Sequence, residues 1–349
     1  MRIALIAPPF IEVPPIRYGG TELFIANLAN ELKAMGHQVV VYANGDSKVR
    51  CRVKSIYPHS QWPIDDPEQA CHKNVDHTAW AMADAADWAD VIHLNDIVGV
   101  PFTRFVRTAT VLTIHHPDVP ALSEQYTRYP DIHYIAIARW LAERQPMRWV
   151  HVVHHGIDPE RYVYSAEKDD YVAFLGRMAP AKGPHLAIAA AKKAGVRLKL
   201  AGEIQPVFRQ YWDEQVSPLV DGDQIQFIGE VDLLKKNALL SRAKAVLFPI
   251  QWEEPFGLVM IEAMACGTPV IALPGGSVEE VVRDAVSGWI CHDTDEMASR
   301  INGPMIPPAT VHEYMLENFT LTRMAEKYVS VYESVLDGSA ETLASAREA

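Results

Sequence analysis

A chain of 349 residues is too long for one ordinary core, and at roughly 150 residues per domain it predicts two. Hydrophobic residues make up 49% and charged residues 22%, the balance of a soluble globular protein with no room for a large disordered part. A net charge of -12 argues against a general binder of nucleic acid or anionic membrane but says little about small anionic ligands.

MRIALIAPPF opens the chain as an apolar run with one Arg, too short for a signal segment or a membrane span, and reads as a buried strand. TELFIANLANELKAMG follows with Leu23, Ile25, Leu28, Leu32 and Met35 near helical spacing and Gly36 where a helix would end. QVVVYANGD returns as a strand into a turn. This β-α-β opening continues coarsely through DVIHL (90–94), TVLTIHH (110–116), HYIAIA (133–138) and WVHVV (149–153), which predicts a parallel sheet with helices on both faces.

The polar stretch DPERYVYSAEKDD, 158–170, is placed as a linker. After it YVAFLG, RLKLAG, IQFIG, KAVLFPI and TPVIAL alternate with helical segments, one of which, SVEEVVRDA, is expected to open with a Ser277/Glu280 capping box. The fold class is therefore α/β, with two doubly wound Rossmann-like domains, 1–158 and 168–318. A helical tail over about 320–337 is expected to cross back to the first domain, and ETLASAREA at the end to be frayed or partly helical. Such domains bind ligands at the carboxyl ends of their strands, which predicts a cleft with those ends facing each other. Cys51, Cys71, Cys266 and Cys291 show no CxxC spacing and read as reduced structural thiols of a cytoplasmic protein.

The residues after strands carry the chemistry. Gly19 and Gly20 end a proline-rich loop as a helix begins, where backbone amides can approach an anion. Arg177 and Lys182 in FLGRMAPAKG follow the first strand of the second domain and suit a diphosphate, although solvated loop charges are the plainer reading of the pair alone. His115 and His116 end TIHH, and His154 and His155 stand in VVHHGID. Neither pair has a chelating spacing with further ligands, so no metal site is expected. No GxGxxG occurs, which removes the usual fingerprint of a nicotinamide enzyme.

QWEEPFGLVMIEAMACGTPV, 251–270, is the strongest stretch. A strand ends near Ile250, QWEEP forms a loop, and a helix begins at about Phe256 or Gly257, so that free amides there can meet a phosphate. Glu254 lies in the loop. Glu262 lies in the second turn between Met260, Ile261, Ala263 and Met264, a setting that disfavours plain solvent exposure. Glu253 has no assigned role and reads as solvated.

Taken together, Gly19-Gly20 with its helix, TIH ending at His115, Arg177 with Lys182, and EPFGLVMIE with seven residues between Glu254 and Glu262 resemble the family 4 glycosyltransferases, retaining enzymes of the GT-B fold, over nearly the whole chain in order. The resemblance implies that Arg177 and Lys182 neutralise the donor diphosphate, with Phe256, Gly257, Leu258 and Val259 lining the substrate site and backbone amides near Gly257 supporting the phosphates. It further implies that Glu262 binds the ribose hydroxyls, Glu254 the donor sugar, and the loop around Ile228 the base through its backbone. His115 would stand near the donor sugar, and Gly19 and Gly20 near the phosphates. His116 and His155 replace the Asp and Asn frequent in the family, and Ala138 a small hydroxyl residue. These departures leave the donor sugar open.

The expectation is thus a cytoplasmic, metal-independent retaining hexosyltransferase that takes a nucleoside diphosphate sugar, UDP favoured and GDP or ADP possible. It needs no cofactor, has no transmembrane segment and binds no nucleic acid. A soluble acceptor is preferred over a lipid-linked one, with peripheral membrane association left open, and the loops 9–20 and 57–78, with Tyr18 and Trp62, either line an acceptor groove or cover the sheet. The alternatives are another GT-B sugar-nucleotide enzyme, such as an epimerase or a phosphorylase, and a catalytically silent nucleotide-sugar-binding module.

Overall fold

The computed structural model describes residues 1–16 and 19–348, the last ten by their backbone. Tyr18 lies outside the described residues. The chain divides into two compact units, Met1–His155 with the C-terminal helix, and Gly156–Thr320.

The first unit is built on β1 (Arg2–Ile6), β2 (Gln38–Tyr42), β3 (Arg52–Lys54), β4 (Val91–Leu94), β5 (Ala109–Ile114), β6 (His133–Ala136) and β7 (Val150–Val152). All seven pair in parallel in the order β3-β2-β1-β4-β5-β6-β7, so the direction of winding reverses between β1 and β4. The near-continuous apolar runs at the sheet centre follow from burial on both faces. Helix Gly20–Ala34 presents Phe24, Ile25, Leu28, Ala29 and Leu32 to this core; Ile25, Leu28 and Leu32 stand as the spacing predicts, whereas Leu23 is only half-buried and Phe24 faces the core in its place. Helix Leu321–Glu348 packs beside it through Met324, Ala325, Tyr328, Val331 and Tyr332.

The stretch 57–78 is not a loop throughout. Helix Pro67–Ala86 begins within it, because Asp66 accepts from the amides of Glu68 and Gln69 and Pro67 occupies the first turn, where its missing N–H is no loss.

The second unit holds β8 (Tyr171–Leu175), β9 (Arg197–Ala201), β10 (Ile225–Phe227), β11 (Ala245–Phe248), β12 (Val270–Ala272) and β13 (Gly288–Ile290), all parallel, in the order β10-β9-β8-β11-β12-β13. Its winding reverses between β8 and β11. Residues 158–170 are bonded into this unit rather than bridging freely: Val163 N donates to Asn237 Oδ1 at 3.0 Å, and Asp169 N to Arg242 O at 2.7 Å.

The Ser277/Glu280 capping box does not form. The helix is one turn, Val278–Val281, and Ser277 already has helical dihedrals and makes no side-chain cap bond. Its buried hydroxyl donates instead to Phe256 O at 2.8 Å.

Candidate active site

The loops after β8 and β11 leave from neighbouring strand ends at the reversal point of the second sheet. Gly183 joins the short turn Pro180–Lys182 to helix Pro184–Ala194 at φ 70°, and a Cβ there would stand 2.0 Å from Pro249 O. Only glycine allows the first loop to lie this close to the end of β11. Gln251 N then clips the two loops together by donating to Ala181 O at 2.8 Å.

This contact delivers Lys182 to Glu254. The ammonium pairs with Oε2 of Glu254 and lies 5.0 Å from the centroid of the Trp252 ring, while Trp252 Nε1 donates to the same Oε2 at 2.9 Å. Glu254 is 6% exposed, a burial its carboxylate tolerates because it is paired. Its backbone is fixed as well. Ser277 N donates to Glu254 O at 3.0 Å, and Glu253 Oε2 accepts from Gly276 N at 2.5 Å, so Glu253 is not simply solvated but holds the loop from its other side.

Helix Leu258–Ala265 starts at Gly257, whose φ of 75° turns the chain from loop into helix. Glu262 lies on this helix and is 8% exposed. Its Oε1 accepts from Tyr162 OH at 2.8 Å and pairs with Lys236 Nζ at 2.5 Å, and Lys236 in turn lies 5.6 Å from the centroid of the Tyr162 ring. The two carboxylates are therefore held alike. Each has one oxygen shared by a lysine and an aromatic donor, and the lysine rests on that donor's ring.

The other expected residues of this unit are placed less tightly. Arg177 is exposed, with Nη1 3.4 Å from Gln205 Oε1, and is not joined to the Lys182–Glu254 pair. Ile228 is exposed just after β10, and its N–H is committed to Leu200 O at 2.9 Å. Leu258 and Val259 are half-buried at the helix start, whereas Phe256 is buried.

In the first unit His115 follows β5. Asn95, just after β4, donates through Nδ2 to Ile6 O at 3.2 Å, so its Oδ1 faces His115 Nε2 at 3.0 Å and must accept from it. That fixes the His115 tautomer, with the lone pair on Nδ1. Phe24 meets the His115 ring edge-on, with centroids 4.8 Å apart. Burial holds the His115 pKa well below its ordinary value, with His155, His93 and His116 adding smaller like-charge effects. At Gly19 a Cβ would lie 2.8 Å from Oε2 of the buried Glu22, whereas Gly20 is open. Among the described residues no three His, Cys, Asp or Glu side chains gather as metal ligands.

Comparison with known proteins decides what these two units are. A model for glycosyltransferase family 4 matches residues 18–161, and one for glycosyl transferases group 1 matches residues 160–303. Glycogen synthase of Mycobacterium tuberculosis is 26% identical over 377 residues, covering 88% of this chain and 87% of that protein. Among solved structures, AviGT4, a glycosyltransferase involved in avilamycin A biosynthesis, is 25% identical with a TM-score of 0.72, covering 97% of this chain and 98% of that one. Anabaena Alr3699/HepE in complex with UDP and glucose is 20% identical with a TM-score of 0.73, covering 96% and 100%. The chain is a GT-B glycosyltransferase of the family 4 type.

In this glycosyltransferase the two unusual histidines have separate fates. His116 Nδ1 donates to Pro117 O at 2.7 Å, leaving Nε2 to accept from Tyr126 OH at 2.8 Å, so both ring nitrogens are engaged within the unit. His155 stacks on His115 with ring centroids 6.1 Å apart, and burial, with a smaller push from His154, holds its pKa at about 4. No helix among the described residues of the glycosyltransferase is long and apolar enough to cross a membrane.

Sequence reasoning missed Trp252, Tyr162, Lys236 and Asn95. Trp252 stands in the same QWEEP loop as Glu254, and an aromatic N–H donor two residues from a carboxylate was a usable signal. Tyr162 and Lys236 lie 100 and 26 residues from Glu262, and no local pattern points from them to it.

Proposed function

We propose that the chain is a retaining, metal-independent hexosyltransferase that takes its sugar from a nucleoside diphosphate, most readily UDP. The observation that carries this reading is the buried Lys182–Glu254–Trp252 cluster at the reversal point of the second sheet, beside the helix start at Gly257. The UDP bound in the Anabaena structure favours that donor.

The amides of Gly257, Leu258 and Val259 receive a phosphate at the helix N-terminus. Lys182 has three protons, so it can keep Glu254 and still donate to a phosphate oxygen. Arg177, exposed and in long contact with Gln205, swings onto the diphosphate and adds a second cation. These two charges do the work of neutralising the leaving group as its negative charge grows. Glu254 favours the positive charge developing at the anomeric carbon, Glu262 holds the ribose, and the Ile228 carbonyl meets the base. From the first unit His115 is assigned to the donor sugar, with Gly19 and Gly20 toward the phosphates.

Transfer follows a front-face route. The bond from the anomeric carbon to the phosphate oxygen breaks, the bond to the acceptor oxygen forms on the same face, and the acceptor proton passes to the departing phosphate. The acceptor is a hydroxyl compound, with a soluble one preferred.

Screening UDP-, GDP- and ADP-hexoses for thermal stabilisation and slow donor hydrolysis tests the reading. One donor should stabilise the protein and be hydrolysed, and E254Q and K182M should each lower turnover by at least 100-fold. Unchanged turnover in both variants sinks the site assignment, and binding without turnover over a broad acceptor panel favours a silent binding module.

A further inference from the structure

Glu262 has two oxygens in unlike states. Tyr162 OH and Lys236 Nζ both reach Oε1, at 2.8 and 2.5 Å, and together they fill the two acceptor sites of that oxygen. Among the described residues no donor reaches Oε2, which keeps both of its acceptor sites. The two donors come from different parts of the second unit: Tyr162 follows the turn Pro159–Arg161, and Lys236 lies on helix Leu233–Arg242. Holding one oxygen from two directions removes the freedom of the carboxylate to turn about its terminal bond.

Resting on the nucleotide-sugar reading above, we infer that Tyr162 and Lys236 are positioning residues that lock Glu262 so that Oε2 alone is presented to the ribose, which makes the site selective for ribonucleotides over 2′-deoxyribonucleotides. An oxygen with two open lone pairs accepts both hydroxyls of a cis-diol, whereas a 2′-deoxyribose offers only one. A carboxylate free to turn would answer the missing hydroxyl by offering its other oxygen to water, and would discriminate less. Lys236 has a second effect. It neutralises Glu262 on the helix whose start receives the diphosphate, so the ribose ligand does not repel the phosphates.

Tyr162 touches no ligand in this scheme. Its hydroxyl acts through Glu262, and its ring supports the Lys236 ammonium at 5.6 Å from the centroid. The resemblance to the Lys182–Trp252 arrangement around Glu254 shows that this is how the second unit seats a buried carboxylate twice.

The experiment is calorimetric titration of the full chain with UDP, GDP and ADP and with the 2′-deoxy form of each. The wild type should prefer the ribonucleotide it binds by at least tenfold. Y162F and K236M should each reduce that preference threefold or more through weaker ribonucleotide binding, with the affinity of Y162F for the deoxy form unchanged. In turnover assays the donor KM should rise with kcat held within twofold, and K236R should recover part of the preference. Variants that remain folded by circular dichroism and keep the wild-type preference overturn the inference. So does an equal loss for both nucleotide forms, which would make Tyr162 a general structural support. If the wild type binds none of the six nucleotides, the functional reading itself falls, and the inference falls with it.

Discussion

His93 Nδ1 lies 2.7 Å from the Tyr332 hydroxyl, tying the middle of the first sheet to the C-terminal helix. The other ring nitrogen stands 2.7 Å from Thr113 Oγ1, which is itself 3.1 Å from Tyr328 OH. A buried chain of four polar side chains thus fastens helix Leu321–Glu348 where apolar packing alone would leave its rotation less defined. Y332F strips the partner from one buried nitrogen and should cost about 1–3 kcal/mol, read as a lower midpoint in urea at pH 7. An unchanged midpoint would mean that the hydroxyl contributes nothing.

The same histidine sets a pH dependence. Burial lowers the His93 pKa from 6.5 to about 3, so the folded protein keeps the ring neutral while the unfolded chain takes up a proton below pH 6.5. A depressed histidine pKa contributes stability that is complete above the unfolded value and is lost as pH falls toward the folded one. His155, lowered to about 4 by burial, acts with the same sign. Stability should therefore decline between pH 6.5 and pH 4, by up to about 1.4 kcal/mol per pH unit for each such ring. Denaturant midpoints that stay flat from pH 7 to pH 5 would contradict this.

Gly276 tests how firmly the backbone of Glu254 must be seated. Its φ is 59°, and a Cβ would stand 2.2 Å from Glu254 O and 2.4 Å from Glu254 N. G276A adds left-handed strain to a clash with main-chain atoms that cannot swing away, so the loop carrying Glu254 must move. The expected loss is about 1–3 kcal/mol of stability together with at least tenfold in kcat. A variant with a lower melting temperature but full kcat would show that the Glu254 position tolerates displacement.

Trp252 should act on catalysis more than on binding. W252F keeps an aromatic face for Lys182 but removes the Nε1 donor from Oε2 of Glu254. On the proposed reading the carboxylate becomes less well oriented as charge develops, lowering kcat by about 3- to 30-fold with the donor KM within twofold. A rise in KM alone would show that Trp252 supports donor binding and not the charge that develops in transfer.

Much of this architecture was legible because its signals are local. The apolar runs that became β1, β2, β4 and β8 and the helical spacing of Leu28 and Leu32 announce themselves within a few residues. That Glu254 stands in the loop after β11 and Glu262 on the helix that follows was readable for the same reason. β3 and β13 escaped because their residues lack an apolar run, RVK being two-thirds charged and GWI opening on a glycine, whereas the equally short edge strands β7 and β10 sit in the apolar stretches WVHVV and IQFIG. Tyr162 escaped because it sits in a polar stretch that reads as a linker, and only folding carries it to Glu262. Ser277 misled, since serine followed by glutamate three residues later suits a helix start, yet its hydroxyl went to the buried Phe256 carbonyl. Tertiary demand for a donor outweighed the local preference.

Glu253 fastens the loop between β11 and helix Leu258–Ala265 from the side opposite Lys182. Its Oε2 accepts from Gly276 N at 2.5 Å, and this bond joins the loop after β11 to the one after β12. E253A leaves the amide to water and should lower the melting temperature by about 2–4 °C, corresponding to roughly 1 kcal/mol. E253Q keeps an acceptor oxygen and loses only the charge assistance, so its decrease should be less than half as large. Because Glu253 touches neither Lys182 nor Trp252, donor KM in E253Q should stay within twofold of the wild type. Equal destabilisation by alanine and glutamine would show that the charge, and not the hydrogen bond, steadies the loop.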